Sequence, residues 1–381
     1  MKSADFLIIG GGIAGLSAAS RLAAHGRVAV LEGEEALGYH SSGRSVTFSH
    51  FGIGNAAVRG LTAYSRAFFE NPPEGFRSSP LYRGQSSVYL ATEAMLGELD
   101  ALQAEMARFT DKISWVDEAE IRALCPVLRT GAEGFVSGVL DISGLRLDAD
   151  ALLQSFARSV RGQGGEVLTG QRIASIEREG QDWRVRTETG EEWSAPFLVN
   201  AAGAWSDAIA GLAGVAPLGL QPMRRTIIVV DPPEGADASD WPFVHTAASD
   251  FYMLPEAGRL LVSPVDEIPS DPCDAWPEEY DIAVAAAKLE EYTTISVRRI
   301  AHSWAGLRSF VADRVPTAGF APDAPGFFWL AGQGGYGLQT APAMAEIVEA
   351  LATGGEWPAG LVALGVTRDH IEPDRLFAAT A

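Results

Sequence analysis

The hydrophobic pattern at the start of the chain predicts a strand, a helix and a second strand in close succession. An apolar run over residues 6–9 ends in three glycines, and a small-residue stretch with helical periodicity follows over residues 14–25. A second apolar run, over residues 28–31, ends at Glu32. Short apolar runs bounded by glycine are typical of buried parallel strands. The pattern therefore predicts a βαβ unit.

This unit carries the fingerprint of a dinucleotide-binding turn. In the spacing of Gly10, Gly12 and Gly15, the first glycine permits the turn, the second admits a pyrophosphate and the third lets the helix pack on the sheet. The helix N-terminus attracts phosphate, and Glu32 is placed to accept hydrogen bonds from a ribose. A carboxylate there would repel a 2′-phosphate, which favours FAD or NAD over NADP.

The remaining chain alternates between helical and strand patterns. Helices are predicted over about residues 56–69, 93–108, 117–124, 148–161, 206–212, 278–293 and 340–353. Strands are predicted over about residues 87–90, 166–168, 172–178, 183–187, 197–200, 226–230, 243–246, 251–254, 259–262 and 326–331, with a strand pair within 135–142.

Two further junctions from a strand through glycine to a helix occur at residues 201–205 and 332–340. In an open α/β sheet such turns gather at the carboxyl ends of the strands, where the ligand binds. A return to this sheet near the C-terminal end favours FAD over NAD.

A chain of 381 residues is long for one core, which predicts two interleaved domains. We expect an α/β fold in which a Rossmann-like FAD-binding domain is interleaved with an α+β substrate-binding domain built on a mostly antiparallel sheet. The predicted FAD-binding domain comprises residues 1–78, 143–205 and 306–381, and the substrate-binding domain comprises residues 79–142 and 206–305.

Composition excludes several classes of partner. A net charge of −20 argues against nucleic acid and anionic membrane as binding partners. The sequence contains no uninterrupted apolar stretch of about 18 residues, so no integral membrane segment is expected. The two cysteines, Cys125 and Cys273, form no CxxC motif and fit a reducing, cytoplasmic location. The six histidines show no HxxxH or HExxH pattern, so no metal site is expected.

Six segments resemble the D-amino acid oxidase and dehydrogenase family of flavoproteins, and most closely its D-arginine dehydrogenase type. They are residues 8–32, 39–45 (YHSSGRS), 199–205 (VNAAGAW), 219–222 (GLQP), 303–310 (SWAGLRSF) and 333–340 (QGGYGLQT). The resemblance spans nearly all of the chain. It implies FAD held without a covalent link, because no cysteine stands at a linkage position known from the related sarcosine oxidases. It also implies a small-molecule amino acid substrate and an electron acceptor that is a quinone or oxygen.

The resemblance assigns cofactor-binding residues in each of these segments. They are Gly10, Gly12, Ile13, Ala14, Gly15 and Glu32 in the first turn; Ser41, Ser42, Gly43, Arg44 and Ser45 along the flavin; Arg172 and Ile173 at the adenine; Ala202, Gly203 and Trp205 at the second junction; and Arg308, Gly334, Gly335, Tyr336, Gly337, Gln339 and Thr340 at the flavin edge.

The resemblance also places three residues at the substrate carboxylate. Arg308 matches the arginine that grips it, Arg225 a second arginine of the pocket, and Tyr252 a nearby hydroxyl. A guanidinium holds a carboxylate bidentately, which would aim the substrate Cα–H at the flavin. Arg308 could instead make a structural salt bridge. Arg224 and Arg225 must face opposite ways on a strand, so only one of them can enter the pocket.

The chain departs from the D-arginine dehydrogenase type in the pocket lining. Phe48, His50 and Ile53 stand where that type has histidine, threonine and tyrosine, and Ser87 replaces an acidic residue. A second acidic position is Ser249, next to Asp250. The remaining predicted pocket residues are Gln339 and Gly335.

Losing both acids leaves a basic side chain without a counter-charge, so we expect poor use of D-arginine and D-lysine. Phe48 and Ile53 favour a neutral, apolar or aromatic side chain, or a cyclic amine. His50 is expected either to act as a polar group near the amine or to face solvent from its loop.

The sequence thus predicts FAD-dependent oxidative deamination of a D-amino acid by hydride transfer to flavin N5, giving an imino acid that hydrolyses to a 2-oxo acid and ammonia. Three alternatives stay open. They are oxidation of a secondary or cyclic amino acid of the sarcosine or proline kind, a 2-hydroxy acid dehydrogenase, and a flavin-binding module without catalysis.

Overall fold

Two large β-sheets organise the fold in the computed structural model, which describes residues 1–377 of the chain. The first, called here the parallel sheet, has six strands. In spatial order they are Glu166–Leu168, Val28–Leu31, Phe6–Ile9, Phe197–Asn200, Phe327–Ala331 and Thr317–Phe320. Every neighbouring pair is parallel except the last, which is antiparallel. This arrangement confirms the predicted α/β, Rossmann-like unit.

Both faces of the parallel sheet are covered, which explains why its strands are apolar throughout rather than alternating. One face packs against four helices: Ile13–Leu22, Ala56–Glu70, Ala149–Gly162 and Gly337–Thr353. The other face packs against a four-stranded sheet, whose strands in order are Lys2–Ser3, Glu192–Ala195, Asp182–Thr187 and Ile173–Glu179. The fully buried Trp193 and Trp329 lie in the core of this second face.

The second large sheet, called here the antiparallel sheet, has nine strands. Eight of them run in the order Ile268–Pro269, Gln221–Val230, Arg259–Ser263, Tyr252–Glu256, Phe243–Thr246, Ser87–Ala91, Ser137–Asp141 and Ile113–Val116, and His302–Phe310 also pairs with Gln221–Val230. The pairing is antiparallel except between Phe243–Thr246 and Ser87–Ala91. This confirms the mostly antiparallel second unit.

Helices and short strands complete the described chain. A three-stranded sheet is formed by Phe48–Ser49, Leu145–Leu147 and Tyr82–Gly84. The remaining α-helices are Leu96–Met106, Glu118–Leu124, Ser206–Leu212, Glu279–Tyr292, Ala359–Ala363 and Asp374–Phe377, and the 3-10 turns are Glu93–Met95, Gly131–Glu133, Gly203–Trp205 and Arg368–His370. Within residues 1–377, none of the helices combines the length and apolarity needed to cross a bilayer.

Some predicted elements differ from the structure. Residues 135–142 contain one strand, Ser137–Asp141, and both of its partners come from elsewhere in the chain, so the prediction of a local strand pair was wrong. The helix predicted from residue 340 begins at Gly337. The strands Glu192–Ala195 and Thr317–Phe320 were not predicted. These two strands form through antiparallel pairing with their neighbours in the sheet, and no local sequence pattern marks them.

The strand His302–Phe310 joins the two large sheets. It pairs with Gln221–Val230 in the antiparallel sheet, and Ser309 forms a bridge to Gly334, in the turn after a strand of the parallel sheet. The predicted domain boundary after residue 305 falls within this strand. The division into two domains stays a prediction. The last four residues of the predicted FAD-binding domain, 378–381, lie outside the described residues.

The first helix approaches its strand so closely that only glycine fits at the contact. A Cβ on Gly15 would lie 2.0 Å from the carbonyl oxygen of Gly10, which has a φ of +109°. Gly97, in the helix Leu96–Met106, has no atom within 4 Å of such a Cβ.

We therefore expect opposite effects from two glycine substitutions in helices. Gly15→Ala should lower the free energy of unfolding by about 1–3 kcal/mol, because the backbone must move to relieve the overlap. Gly97→Ala should raise it by about 0.5–1 kcal/mol, because alanine favours the helix. Urea unfolding followed by circular dichroism measures both. Equal stability of the two variants would contradict the close packing at Gly15.

Candidate active site

A cavity of about 480 Å³ opens at the carboxyl ends of the parallel-sheet strands. The three strand–glycine–helix junctions all contribute to its lining, at residues 9–14, 201–205 and 332–338. Residues 38–46 and the segment around Arg172 line it as well. The structure thus brings together junctions that are far apart in sequence, as expected from the sheet topology.

Most of the predicted cofactor residues line this cavity. They are Gly10, Gly12, Ile13, Ala14, Glu32, Ser41, Ser42, Arg44, Ser45, Arg172, Ile173, Ala202, Gly203, Trp205, Arg308, Gly334, Gly335 and Gly337. The predicted residues outside the lining are Gly15, Gly43, Tyr336, Gln339 and Thr340. Gly15 and Gly43 lie against backbone oxygens instead. Tyr336 donates its hydroxyl to the carbonyl of Arg314, and Thr340 donates to the carbonyl of Tyr336.

The first junction has the geometry of a dinucleotide-binding turn. Glu32 accepts a hydrogen bond from the backbone N–H of Gly11, at 2.6 Å, and another from that of Glu34. Ser42 accepts one from the N–H of Ile13 at 3.0 Å, and a Cβ on Gly12 would come within 3.3 Å of the Ser42 hydroxyl. The turn therefore offers the bare backbone, the helix N-terminus and the fixed carboxylate that fit the ADP part of FAD.

Arg44 ties the cavity-lining loop to a separate segment of the chain. Its guanidinium donates to the carbonyls of Ala275, at 3.0 Å, and Ala305, at 3.3 Å, and forms an ion pair with Asp274. The indole N–H of Trp304 donates to the Arg44 carbonyl at 3.0 Å. The hydrogen bond from Arg44 lowers the pKa of Asp274. We call these contacts the Arg44 clasp.

The other end of the cavity carries the predicted carboxylate-binding residues. Arg308 and Arg225 come from adjacent antiparallel strands, and Tyr252 lies on a third strand of the same sheet. All three line the cavity. A Cβ on Gly335 would lie 2.9 Å from Cζ of Arg308, so this glycine leaves room for the guanidinium beside the turn.

Arg308 has no partner of its own. Among residues 1–377 its guanidinium makes no hydrogen bond and no ion pair, and the Tyr252 hydroxyl makes no hydrogen bond either. Within residues 1–377 Arg308 therefore forms none of the structural salt bridges that the alternative required. A partly buried guanidinium that lacks an anion is suited to a ligand carboxylate.

Arg225, in contrast, is anchored by the protein. Its Nε donates to the carbonyl of Asp266 at 2.7 Å, and its terminal nitrogen lies 3.4 Å from a carboxylate oxygen of Glu267. Burial lowers the pKa of Arg225 to about 10, and the nearby charge of Arg308 adds to this effect. Arg224 faces the other way and pairs with Asp281 at 2.9 Å. Only one arginine of the pair enters the cavity, as the strand geometry predicted.

Four of the five predicted pocket residues lie one layer behind the cavity. Gly335 lines it, but Phe48, Ile53, Ser87 and Gln339 do not. For Phe48 and Ile53 this reflects the path of the chain beyond residue 45, whereas Ser87 lies on a strand of the antiparallel sheet and Gln339 on the helix Gly337–Thr353. These positions therefore form the surroundings of the lining rather than the lining itself.

His50 is also in this second layer, and it is buried, so the expectation that it faces solvent was wrong. Its Nδ1 lies 2.6 Å from the hydroxyl of Tyr89, and its backbone N–H donates to Gln339 at 3.2 Å. Burial, followed by the charge of Arg308, lowers the pKa of His50 to about 3. The ring is therefore neutral at neutral pH.

Two residues of this layer, Tyr89 and His245, were missed by the sequence analysis. Tyr89 accepts a hydrogen bond from Ser87 at 3.2 Å, and the His245 ring lies 5.7 Å from that of Tyr252. Both also line a second cavity of about 230 Å³, together with Ile53. The two-residue period of a strand places Tyr89 on the same face as Ser87, and this signal could have identified it.

The acidic residues that line the main cavity form no ion pair with Arg225 or Arg308. They are Glu32, Glu34 and Glu188, and Arg172 forms an ion pair with Glu34 at 3.0 Å. Asp250 is bound to Lys288 at 2.7 Å and to Tyr292 at 2.9 Å, so it supplies no counter-charge to the cavity. Among residues 1–377, the end of the cavity that holds Arg225 and Arg308 is therefore without a free carboxylate.

Two curated proteins are similar to this chain over much of its length. Glycine oxidase of Bacillus subtilis (strain 168) is 24% identical over 372 residues, which are 91% of this chain and 92% of that protein. Hydrogen cyanide synthase subunit HcnC of Pseudomonas aeruginosa is 24% identical over 277 residues, which are 71% of this chain. The match spans only 63% of the HcnC subunit.

Solved structures share the fold. L-α-glycerophosphate oxidase from Mycoplasma pneumoniae, with FAD bound, has a TM-score of 0.83 at 19% identity, covering 93% of this chain and 95% of that one. L-proline dehydrogenase from P. horikoshii has a TM-score of 0.81 at 19% identity and covers 99% of both chains. The finer resemblance to the D-arginine dehydrogenase type stays a prediction.

The family comparison agrees with the geometry of the cavity. A family model described as FAD dependent oxidoreductase (DAO) matches residues 5–351, which include all three junctions, Arg225, Tyr252 and Arg308. The chain therefore belongs to the DAO family of FAD-dependent oxidoreductases.

Proposed function

We propose that this FAD-dependent oxidoreductase oxidatively deaminates a D-amino acid with a neutral or hydrophobic side chain, giving the imino acid and then a 2-oxo acid and ammonia. The observation that carries the proposal is the guanidinium of Arg308, which has no partner among residues 1–377. It lines the main cavity together with Tyr252, beside the turn at Gly334–Gly337. A carboxylate bound there would lie next to the cofactor site.

Two parts of the chain divide the work of binding. The three junctions would hold FAD, which supplies the hydride acceptor when it is bound. Arg308 binds the substrate carboxylate as a bidentate partner, and Tyr252 donates a further hydrogen bond to it. Fixing the carboxylate at these two residues would restrict the orientations of the Cα–H bond, so much of the rate would come from orientation.

The same residues influence the protonation of the substrate amine. Two guanidinium groups and no free carboxylate surround the substrate end of the cavity, which disfavours an ammonium and lowers its pKa there. His50 lies behind the lining, and its pKa of about 3 makes it a weak proton acceptor. The substrate ammonium therefore gives one proton to water, and the neutral amine is the form that the cavity holds.

The lining also supports the choice of a neutral side chain. Val46, Ile227 and Tyr252 are among the uncharged residues that line the cavity with the two arginines, and Asp250 is already paired with Lys288. A guanidinium or ammonium on the substrate would meet positive charge without a compensating carboxylate. We therefore propose that D-arginine and D-lysine are poor substrates.

A second candidate is oxidation of a secondary or cyclic amino acid. The similarity of fold to L-proline dehydrogenase over 99% of both chains favours it. This reaction needs the same carboxylate-binding residues and the same cofactor. Its substrate differs in having a secondary amine nitrogen and, for L-proline, the opposite configuration at Cα. A 2-hydroxy acid would use the same grip as well. The acceptor that reoxidises the flavin is either a quinone or oxygen.

The location and domain division complete the proposal. We propose a cytoplasmic location, because Cys125 and Cys273 are both free thiols. We also propose that residues 1–78, 143–205 and 306–381 form the FAD-binding domain. Residues 79–142 and 206–305 then form the substrate-binding domain.

Anaerobic bleaching of the flavin absorbance tests the substrate class. We expect D-leucine or D-phenylalanine to bleach the flavin at least about tenfold faster than D-arginine or D-lysine, because an uncompensated charge costs more than 1.4 kcal/mol in such a site. L-amino acids, sarcosine, proline and 2-hydroxy acids are run in parallel. Faster bleaching by L-proline would select the second candidate, and efficient bleaching by D-arginine would refute the charge argument.

Arg308→Met tests the carboxylate grip. We expect kcat/KM to fall at least about a hundredfold, because truncating one partner of a desolvated charge pair costs about 2–5 kcal/mol. Arg224→Met is the matched control, since Arg224 lies on the opposite face and pairs with Asp281. Steady-state kinetics and flavin content are measured for both. Equal losses in the two variants would show that Arg308 does not bind substrate.

A further inference from the structure

Arg314 links the surface of the protein to the end of the main cavity that holds Arg225 and Arg308. One terminal nitrogen of its guanidinium donates to both carboxylate oxygens of Glu267, at 2.8 and 2.9 Å. The same carboxylate lies 3.4 Å from a terminal nitrogen of Arg225, which lines the cavity. The Arg314 side chain is 45% exposed, whereas that of Arg225 is 6% exposed. Glu267 is therefore shared between a surface arginine and a buried one, and it lies closer to the surface arginine.

The backbone of Arg314 has a conformation that is unusual for an arginine. Its φ of +61° lies in the left-handed region, which glycine adopts at lower cost. Its N–H donates to the carbonyl of Val311 at 2.9 Å, in the turn after the strand His302–Phe310. The guanidinium carbon lies 3.8 Å from the ring centroid of Phe310, and the Arg314 carbonyl accepts from the Tyr336 hydroxyl at 3.1 Å. These contacts maintain the strained conformation and hold the guanidinium beside Glu267.

The charged side chains around Arg225 leave one positive charge in excess. The group contains three guanidinium groups and two carboxylates: those of Arg225, Arg308, Arg314, Asp266 and Glu267. Asp266 lies 3.8 Å from Nε of Arg225 and is equally buried. Without the charge of Arg314, the two carboxylates would balance the two arginines of the cavity. The attraction for a substrate anion would then be weaker, because little net charge would remain.

We propose that Arg314 is a positioning residue for substrate binding, which draws the Glu267 carboxylate toward the surface so that Arg225 keeps its attraction for the substrate carboxylate. This inference rests on the proposed function, because it starts from a carboxylate bound at Arg308. Arg225 has a pKa of about 10, which burial and then the charge of Arg308 lower, so it stays charged at neutral pH. Its attraction for an anion therefore depends on how closely Glu267 approaches it.

Two substitutions should change carboxylate binding in opposite directions. Arg314→Met releases Glu267, which then pairs more closely with Arg225, whereas Glu267→Gln removes this counter-charge. Benzoate, a carboxylate without an amine to oxidise, is titrated into the holoenzyme and followed by the flavin spectrum. We expect its dissociation constant to rise about fivefold in Arg314→Met and to fall about threefold in Glu267→Gln. KM for the substrate that bleaches the flavin fastest should follow the same directions, with kcat changed less than about twofold.

The double variant Arg314→Met/Glu267→Gln separates this role from a structural one. If Arg314 acts through Glu267, its replacement should change the dissociation constant less than about 1.5-fold once residue 267 is neutral. If Arg314 only supports the turn through Phe310 and Tyr336, its loss should weaken binding equally in both backgrounds, and this result overturns the inference. Arg314→Lys keeps the charge and should restore most of the affinity.

Arg368→Met is the matched control. Arg368 forms an ion pair with Glu372 at 3.3 Å, and the two side chains are 47% and 32% exposed, against 45% and 33% for Arg314 and Glu267. Neither residue of the control pair lines the main cavity. The dissociation constant of benzoate should therefore be the same in Arg368→Met as in the wild type.

The outcomes separate the inference from the proposed function. If D-amino acids bleach the flavin but Arg314→Met binds benzoate as the wild type does, only the inference falls. If L-proline or a 2-hydroxy acid bleaches the flavin instead, the proposed substrate falls and the inference stands, since both are carboxylates. If neither benzoate nor any carboxylate substrate binds, both fall. If Arg314→Met loses its flavin, Glu267→Gln decides, and unchanged or weaker binding in that variant overturns the inference.

Discussion

The pairing between the strands Gln221–Val230 and His302–Phe310 is the interaction on which the active site depends. It runs over nine residue pairs and sets Arg225 beside Arg308 on neighbouring strands. The bridge from Ser309 to Gly334 then joins this pair of strands to the flavin-edge turn of the parallel sheet. The residues proposed to bind the carboxylate and the turn proposed to contact the flavin are therefore held in one continuous network of backbone hydrogen bonds.

The local electrostatics of the site oppose those of the whole molecule. The chain carries a net charge of −20, yet the substrate end of the cavity presents two arginines and no free carboxylate. The buried Asp266 pairs with Arg225, and Glu267 pairs with Arg225 and Arg314, so neither carboxylate reaches Arg308. An acidic protein can thus bind an anionic substrate, because a few buried contacts determine the field inside a cavity.

The cofactor half of the site was predictable because local chemistry dictates it. Gly10, Gly12 and Glu32 lie within one short unit whose turn, helix and strand leave few arrangements, and buried strands such as Phe197–Asn200 are recognisable by composition. The substrate half was predictable only in part. Arg308 was identified by resemblance, but its freedom from ion pairs depends on where distant acids lie.

The second layer could not be predicted for a related reason. Phe48 lies outside the lining of the main cavity because the loop after residue 45 turns into a short strand that pairs with Leu145–Leu147, and Ser87 lies outside it on a strand of the antiparallel sheet. Tyr89 and His245 meet only through the single parallel pairing of the antiparallel sheet. Both arrangements depend on registers between distant segments, and no pattern within either segment encodes them.

The Arg44 clasp bears on how long the enzyme keeps its flavin. The loop that lines the dinucleotide cavity is held by two carbonyls, one carboxylate and one indole N–H from segments that are more than two hundred residues away in the chain. Release of the cofactor requires these bonds to break together, so retention is governed by the rate of loop opening as well as by affinity. Because the Asp274 carboxylate of the ion pair is partly exposed, salt weakens this one contact of the clasp.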